Sequence, residues 1–271
     1  IRVYIQTNNY IKTHTNQFSE VFTLTPSGNK SFVKGKMPFL FRFSDQLSLR
    51  LEKKTKDETI VQSLNPFSRS INDTSLVSMS STFRNILYFN RTNPVFGMDF
   101  TWQDNRNKTL LANGFESRTL RSGLVNSRYN FTHDWLLNCA YENGERINAS
   151  EFFTSRDYKV YYNNIEPKLT WQPGSSFRLS TAYKYSLKQN SIGNREKGKI
   201  NKLTLDAKYT SVNSGTFNVK FSFVNVSYNG DATSFLTYEM LEGFKAGKNM
   251  TWGASAQRNL GSSMQLSLNY D

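Results

Sequence analysis

Over most of the chain apolar residues fall at every second position, with small or polar residues between them. The clearest case is the hairpin from Asn249 to Tyr270. Met250, Trp252, Ala254 and Ala256 alternate up to a turn at Asn259-Leu-Gly261-Ser, and Met264, Leu266, Leu268 and Tyr270 alternate after it. A period of two puts one set on each face of a β-strand. The same pattern predicts strands through Phe39 to Phe43 and, past a turn at Ser44-Asp45, Leu47 to Leu51. It continues at Val77 to Phe89, Phe96 to Trp102, Val125 to Phe131, Trp135 to Tyr141, Tyr158 to Tyr162 and Leu169 to Trp171. Further strands follow at Phe177 to Leu187, Leu203 to Tyr209 and Phe217 to Phe223, with a short one at Leu236 and Tyr238.

Leu110 to Leu120 reads as a less regular strand. The phase slip to Val224, Val226 and Tyr228 predicts a bulge. Polar stretches are assigned to loops: Glu52–Glu58, Gln62–Thr74, Gln103–Lys108, Glu142–Ser150, Lys188–Lys199 and Leu241–Gly247. Residues 1–76, with Ile1, Val3, Ile5, Phe22 and Leu24 as scattered alternates, are less regular. Residues 77–271 form a regular hairpin repeat, expected to be truncated at its carboxy terminus.

Tight turns are predicted near Asp45, Pro94, His133, Gly174, Ser214 and Gly261, roughly forty residues apart, with longer and more charged connections between them. Aromatic residues bracket the short turns: Phe43, Phe131, Trp135, Trp171, Phe177 and Phe217. Aromatic rings favour the headgroup level of a bilayer, where an apolar body and a polar edge are both accommodated. The expected fold is all-β: an antiparallel transmembrane β-barrel of about twelve to fourteen strands, with short periplasmic turns and longer extracellular loops.

Composition agrees with that architecture. Only 37% of the 271 residues are hydrophobic, yet 14% are aromatic, with 21 Phe and 14 Tyr, and there are only 6 Pro. Mean hydropathy is −0.58, and no apolar run reaches the roughly eighteen residues of a membrane helix. A barrel escapes hydropathy because only alternate residues face lipid. The formal net charge of +13 is spread along the strands instead of forming one stripe, so no nucleic-acid partner is expected. The chain begins at Ile1, which is read as a processed or truncated product.

Several segments resemble the carboxy-terminal barrel region of large, mostly uncharacterised outer-membrane proteins of the Bacteroidota. They are Asn93-Pro-Val-Phe-Gly-Met-Asp-Phe-Thr-Trp102, Leu110-Leu-Ala-Asn-Gly-Phe-Glu-Ser-Arg118 and Tyr238-Glu-Met-Leu-Glu-Gly-Phe-Lys-Ala-Gly-Lys-Asn-Met-Thr-Trp252. A Gly-Arg-Lys strand and an aromatic end usually follow in such proteins and are absent here. The resemblance implies a location in a Gram-negative outer membrane, contact with its lipid, and partnership with other outer-membrane or periplasmic subunits. It implies no chemistry.

Candidate chemistry is sparse. His14, His133 and Cys139 are the soft metal ligands, without a second pair at ligand spacing. Thr132-His133-Asp134 has the residue types of a triad but reads as turn chemistry. Gly243 and Gly247 lack the Lys-Ser/Thr of a phosphate loop. Neither catalysis, a metal nor a cofactor is expected. If the apolar alternates face outward, the interior receives Arg50, Glu52, Asp99, Arg128, Arg178, Lys184, Asp206, Lys208, Lys220, Gln257 and Gln265. Ser180, Ser186, Ser255, Ser263 and Ser267 join them. Such a lining either concentrates anions in a water-filled pore or pairs its charges with a plug. The leading expectation is a non-enzymatic outer-membrane barrel, an accessory subunit of a larger complex for protein assembly, secretion or uptake. The alternatives are a porin-like channel with an anion-favouring lumen, and a soluble or surface all-β glycan-binding or adhesin module.

Overall fold

In a computed structural model the described residues are 13–25, 42–56, 75–112, 114–211, 215–259 and 265–270. They form one antiparallel sheet of twelve strands in sequence order. These are β1 (His14–Leu24), β2 (Phe43–Thr55), β3 (Leu76–Phe89), β4 (Phe96–Leu111), β5 (Gly114–Asn130) and β6 (Trp135–Ser150). They continue with β7 (Tyr158–Trp171), β8 (Phe177–Asn190), β9 (Lys197–Ser211), β10 (Gly215–Tyr228), β11 (Gly247–Asn259) and β12 (Gln265–Tyr270). A 3-10 turn at Thr154–Arg156 precedes β7, and a short helix, α1 (Phe235–Leu241), lies between β10 and β11. Among the described residues no pairing joins β1 to β12, so the sheet is barrel-like but not closed.

Pairing register divides the side chains into two faces. One face carries Phe96, Met98, Phe100 and Trp102 of β4, Trp135, Leu137 and Tyr141 of β6, and Leu203, Leu205 and Tyr209 of β9. Most of these large apolar groups are left exposed: Phe100 at 42%, Trp102 at 45%, Tyr209 at 46%. The other face is polar and crowded, with Thr101, Ser122, Ser186 and Ser222 all buried. The apolar face is therefore convex and the polar face concave.

The register also fixes a slant. Following directly paired residues from Phe96 gives Tyr129, Leu137, Leu169, Thr181, Leu205, Phe221 and Trp252. Phe96 opens its strand, whereas Trp252 lies well inside β11. A climb of about one residue per strand, at about 3.3 Å per residue against about 4.8 Å between strands, gives a strand tilt of about 35°. Barrels tilt by about that angle.

Several sequence-based assignments need correction. Ser44 and Asp45 lie within β2, with Asp45 paired to Leu24 and Leu87, and are not a turn. Glu52 to Thr55, Gln103 to Lys108, Glu142 to Ser150 and Lys188 to Asn190 are strand and not loop. One physical reason covers most of these: the strands run on past the apolar belt, where both faces are polar, so alternation vanishes while backbone pairing continues. The stretch from Leu110 to Leu120 holds the end of β4 and the start of β5, separated only by 112–113. That connection is short, so the loops at this end are not uniformly long.

The bulge after Phe223 is absent: β10 pairs without a register shift to both neighbours. The phase slip arises because Val224 and Val226 point to the concave face, against α1. Leu236 and Tyr238 belong to that helix and not to a strand. The predicted turns at Pro94, His133 and Gly174 separate β3 from β4, β5 from β6 and β7 from β8. The assignments at Ile1, Val3, Ile5, Phe39, Phe41, Gln62–Thr74, Ser214, Gly261, Ser263 and Met264 lie outside the described residues, as do the side chains of Gln265, Leu266 and Ser267.

Candidate functional site: an occupied concave face

The connection between β10 and β11 folds onto the concave face. Ser234 caps α1 by accepting a hydrogen bond from the Leu236 amide at 3.3 Å, and Asp231 accepts from the amide and hydroxyl of Thr233, both at 2.8 Å. These bonds hold the Asp231 carboxyl below the usual carboxylate range. Leu236, Met240 and Leu241 are buried against Val160 of β7, Ile200 of β9 and Val224 and Val226 of β10. Gly198 lets the helix approach β9: a Cβ there would sit 3.2 Å from the Met240 carbonyl oxygen.

Charge fixes the end of the helix. Lys184 donates to Glu242 at 2.8 and 3.0 Å, Lys188 lies 3.3 Å from the same carboxylate, and the Lys188 ammonium donates to the Glu239 carbonyl at 2.8 Å. Arg146 of β6 pairs with Glu239. Burial pushes the Glu242 carboxyl up, but the bond from Lys184 and the charge of Lys188 outweigh it, so its pKa lies below the ordinary value. Glu242 adopts a left-handed backbone (φ 53°), which costs a non-glycine residue about 1–2 kcal/mol and is held by these two lysines. A helix of seven residues, about 10 Å long, thus touches strands from β6 to β10, a width of about 19 Å. The sheet must curl around it.

Arg50, Glu52, Asp99, Arg128, Arg178, Lys184, Asp206, Lys208, Lys220 and Gln257 share the concave face. The structure does not gather them into one site. Arg50 lies 3.5 Å from Glu52, Asp99 accepts from Asn126 at 2.8 Å, and Arg128 donates to the Asn93 carbonyl at 2.7 Å beside the β3–β4 turn. Only Lys184 of the predicted set reaches α1. The other charged groups at α1, Arg146, Lys188, Glu239 and Glu242, lie in segments that the alternation pattern assigns to loop or strand. An i, i+4 pattern of Leu236, Met240 and Leu241 was the available signal for a helix.

On the convex face the aromatic groups form a near-continuous band at the short-turn end. Phe43 and Phe89 have ring centres 5.0 Å apart, Phe89 and Phe96 6.3 Å, and Tyr129 and Phe131 4.7 Å. Trp135 stacks on Trp171 at 5.9 Å, Trp171 meets Phe177 at 5.6 Å, and Phe177, Tyr209 and Phe217 are direct cross-strand partners. Phe89, Phe96, Tyr129 and Tyr209 join the six aromatics picked from the sequence.

The opposite border of the apolar belt is an ion-pair ladder. Asp104 takes Arg106 at 2.5 Å and Arg121 at 3.2 Å, and Glu145 takes Arg121 at 3.0 Å and Lys159 at 3.2 Å. Roughly nine residues along tilted strands separate the two borders, about 25 Å in height.

His133 and Asp134 lie 3.1 Å apart in an exposed turn, where Thr132 accepts from the Asp134 amide at 3.3 Å. This is local turn bonding. Cys139 is partly buried in β6. Among the described residues no cluster of His, Cys, Asp and Glu could hold a metal. No known protein-family model matches the chain, and no characterised protein is significantly similar to it.

Proposed function

We propose that this chain is wall and internal plug of an outer-membrane β-barrel that serves, without catalysis, as an accessory subunit of a larger assembly. The observation that carries this reading is the convex apolar belt, bounded by an aromatic band on one side and an ion-pair ladder on the other. Its height of about 25 Å is that of the lipid-facing band of bacterial barrels. Aromatic rings suit one interface, and a ladder whose charges neutralise one another suits the polar level of the other. The resemblance of Asn93–Trp102 and Tyr238–Trp252 to Bacteroidota outer-membrane proteins supports the same location.

Among the described residues β1 and β12 are each paired on one side only. Unpaired backbone groups in hydrocarbon cost several kcal/mol each, which supports a wall completed by other strands. A conducting channel is the second reading, favoured by the cationic concave face of β8 to β10. The seated α1 opposes a wide pore.

Extraction decides the membrane part. The chain is expected to stay with membranes through carbonate washing, to need detergent, and to run faster on gels unheated than boiled. Tryptophan fluorescence should be quenched by lipids brominated near the headgroup. A monomeric, detergent-free soluble chain would refute the reading.

A further inference from the structure

Seated on β7, β9 and β10, α1 leaves a gap between its other side and the wall of β3 to β6. Glu239 pairs across it with Arg146 of β6, and Phe235, one helical turn earlier, has its ring centre 5.9 Å from that of Tyr158. The gap is a cavity of about 330 Å³. Thr82, Asn105, Asn107, Arg118, Arg146 and Tyr158 of its lining share the concave face in an unbroken run of paired strands from β3 to β7. Its convex-side members, Ser81, Arg106, Thr119 and Ile147, each adjoin a concave member in sequence. Their side chains lie on the other face, which leaves their main chain as the cavity floor. Each of these strands is paired on both sides, so the cavity stands within the sheet and not at an edge.

Charge in the lining is already matched. Arg118 donates to Glu116 at 2.8 Å, Arg146 pairs with Glu239, and Arg106 holds Asp104 on the convex side at 2.5 Å. Paired charges leave little net field to draw an ion. What remains is hydrogen-bonding capacity. Asn107 Oδ1 accepts from Thr109 at 3.3 Å, which leaves the amide N–H groups of Asn107. Asn105 Oδ1 is buried and has no hydrogen-bond partner among the described residues, an acceptor in need of a donor. The hydroxyls of Ser80 and Thr82 each donate and accept. Beside these polar groups stand two rings, Tyr158 in the lining and Phe235, which is 47% exposed.

We propose that this cavity binds a neutral sugar. The apolar face of the sugar ring lies against Tyr158 and Phe235, whose electron-rich faces attract its polarised C–H groups. Thr82, Asn105, Asn107 and Arg118 bond its hydroxyls. A sugar hydroxyl donates and accepts at once, as do the amides and hydroxyls around it. The volume lies at the small end of the range for ligand pockets, which suits about one sugar ring. An anionic sugar gains little here, because each arginine already faces a carboxylate. The inference goes beyond the barrel reading: it rests on α1 being seated, and not on what covers the convex face.

Isothermal titration of the full chain tests the site with methyl glucoside, maltose and glucuronate at constant ionic strength. The detergent is lauryldimethylamine oxide, which has no sugar headgroup to compete. Methyl glucoside or maltose should bind saturably, and glucuronate at least about tenfold more weakly. Tyr158→Leu and Asn107→Ala should each weaken binding at least about threefold, and Tyr158→Phe, which keeps the ring, should retain it within about twofold. Asn218→Ala removes an amide from the concave face of β10, outside this cavity, and should leave binding unchanged. Circular dichroism checks the fold of each variant. If Tyr158→Leu fails to fold, hydrogen–deuterium exchange reads the same contact in the native chain: bound sugar should slow exchange of residues 235–241 and leave that of 215–221 unchanged. Absence of saturable binding by both neutral sugars, tighter binding of glucuronate, or equal weakening by Asn218→Ala would overturn the site. The titration runs whether or not the chain needs detergent, so failure of the membrane reading shows separately.

Discussion

Met240→Ala should free the β10–β11 connection from the concave face while leaving the sheet intact. Met240 is fully buried, and its neighbours at the seat are Val160, Ile200, Val224 and Val226, with Gly198 beneath its backbone. Truncating a buried methionine costs about 2–5 kcal/mol through lost transfer energy and the cavity left behind. Gly198 has no side chain to move into the space, so a loss of about 2–4 kcal/mol is expected. At about 1.4 kcal/mol per decade, the detached population should rise roughly 30- to 1000-fold, up to the limit set by the free energy that seats the helix. Hydrogen–deuterium exchange with mass spectrometry separates local from global opening. Amides of residues 235–241 should lose protection by that factor, whereas those of 118–126 in β5 should not change. Unchanged exchange in α1, or equal loss in β5, would refute the claim that the plug is a separate unit seated by apolar burial.

Acid should produce a related release. The folded Glu242 carboxyl has a pKa below its ordinary value of 4.5, so its contribution is complete above that value and is lost as pH falls through the depressed one. Exchange in residues 235–245 should accelerate below about pH 4, and Glu242→Gln should show fast exchange already at neutral pH, with Lys184 deprived of its carboxylate and Lys188 left with only the field of Glu239. Deleting residues 231–244 and joining the ends with a short Gly-Ser linker should convert a closed or faintly conducting barrel into one with clear, anion-preferring steps in planar bilayers. Cation preference would contradict the cationic wall. Trp171→Ala removes a stack on Trp135 and an edge contact with Phe177, each worth about 0.5–1.5 kcal/mol. Urea unfolding in lipid vesicles should show a loss of about 1–3 kcal/mol, and a loss below about 0.5 kcal/mol would remove the aromatic band from the account of stability.

What could be read from the sequence follows from where a side chain's surroundings are one-sided. Between Phe96 and Trp102, or Leu203 and Tyr209, one face is apolar and the other polar, so period two is plain and the strand is found. Beyond Trp102 the convex face turns polar at Asp104, Arg106 and Lys108, and the same strand becomes indistinguishable from a loop. At Val224 and Val226 the faces exchange character: the concave side is apolar under α1, the convex side turns polar at Asn225 and Ser227, and the inverted phase mimics a bulge. Both errors have one source, because hydrophobicity reports what a side chain meets and not whether its backbone is paired. The aromatic band was legible because its members flank turns. Its continuity was not, since Phe89 comes next to Phe43, and Tyr209 next to Phe177, only through strand pairing. The plug was hidden for a different reason: its short helix is stabilised by contacts with β7, β9 and β10, far away in sequence.

The convex face itself limits what can surround the protein. Roughly twenty large apolar side chains on it, among them Met98, Trp102, Tyr129, Ile165, Leu205 and Trp252, are about two-fifths or more exposed. If each leaves on the order of 80 Å² bare, the belt totals about 1600 Å², several times the largest apolar patch of an ordinary soluble monomer. At about 25 cal/mol per Å², covering it with an apolar medium would gain about 40 kcal/mol. A gain of that size favours an apolar cover for the belt. A second sheet, as in a sandwich, covers a face that is flat or gently twisted. Here the face curls around α1, and a rigid partner sheet would touch only part of it. A fluid hydrocarbon layer conforms to a convex wall, and it also accounts for the borders, since its two polar surfaces fall where the aromatic band and the Asp104–Arg121–Glu145–Lys159 ladder lie. The belt's height and its borders thus favour lipid over a protein partner for the same surface.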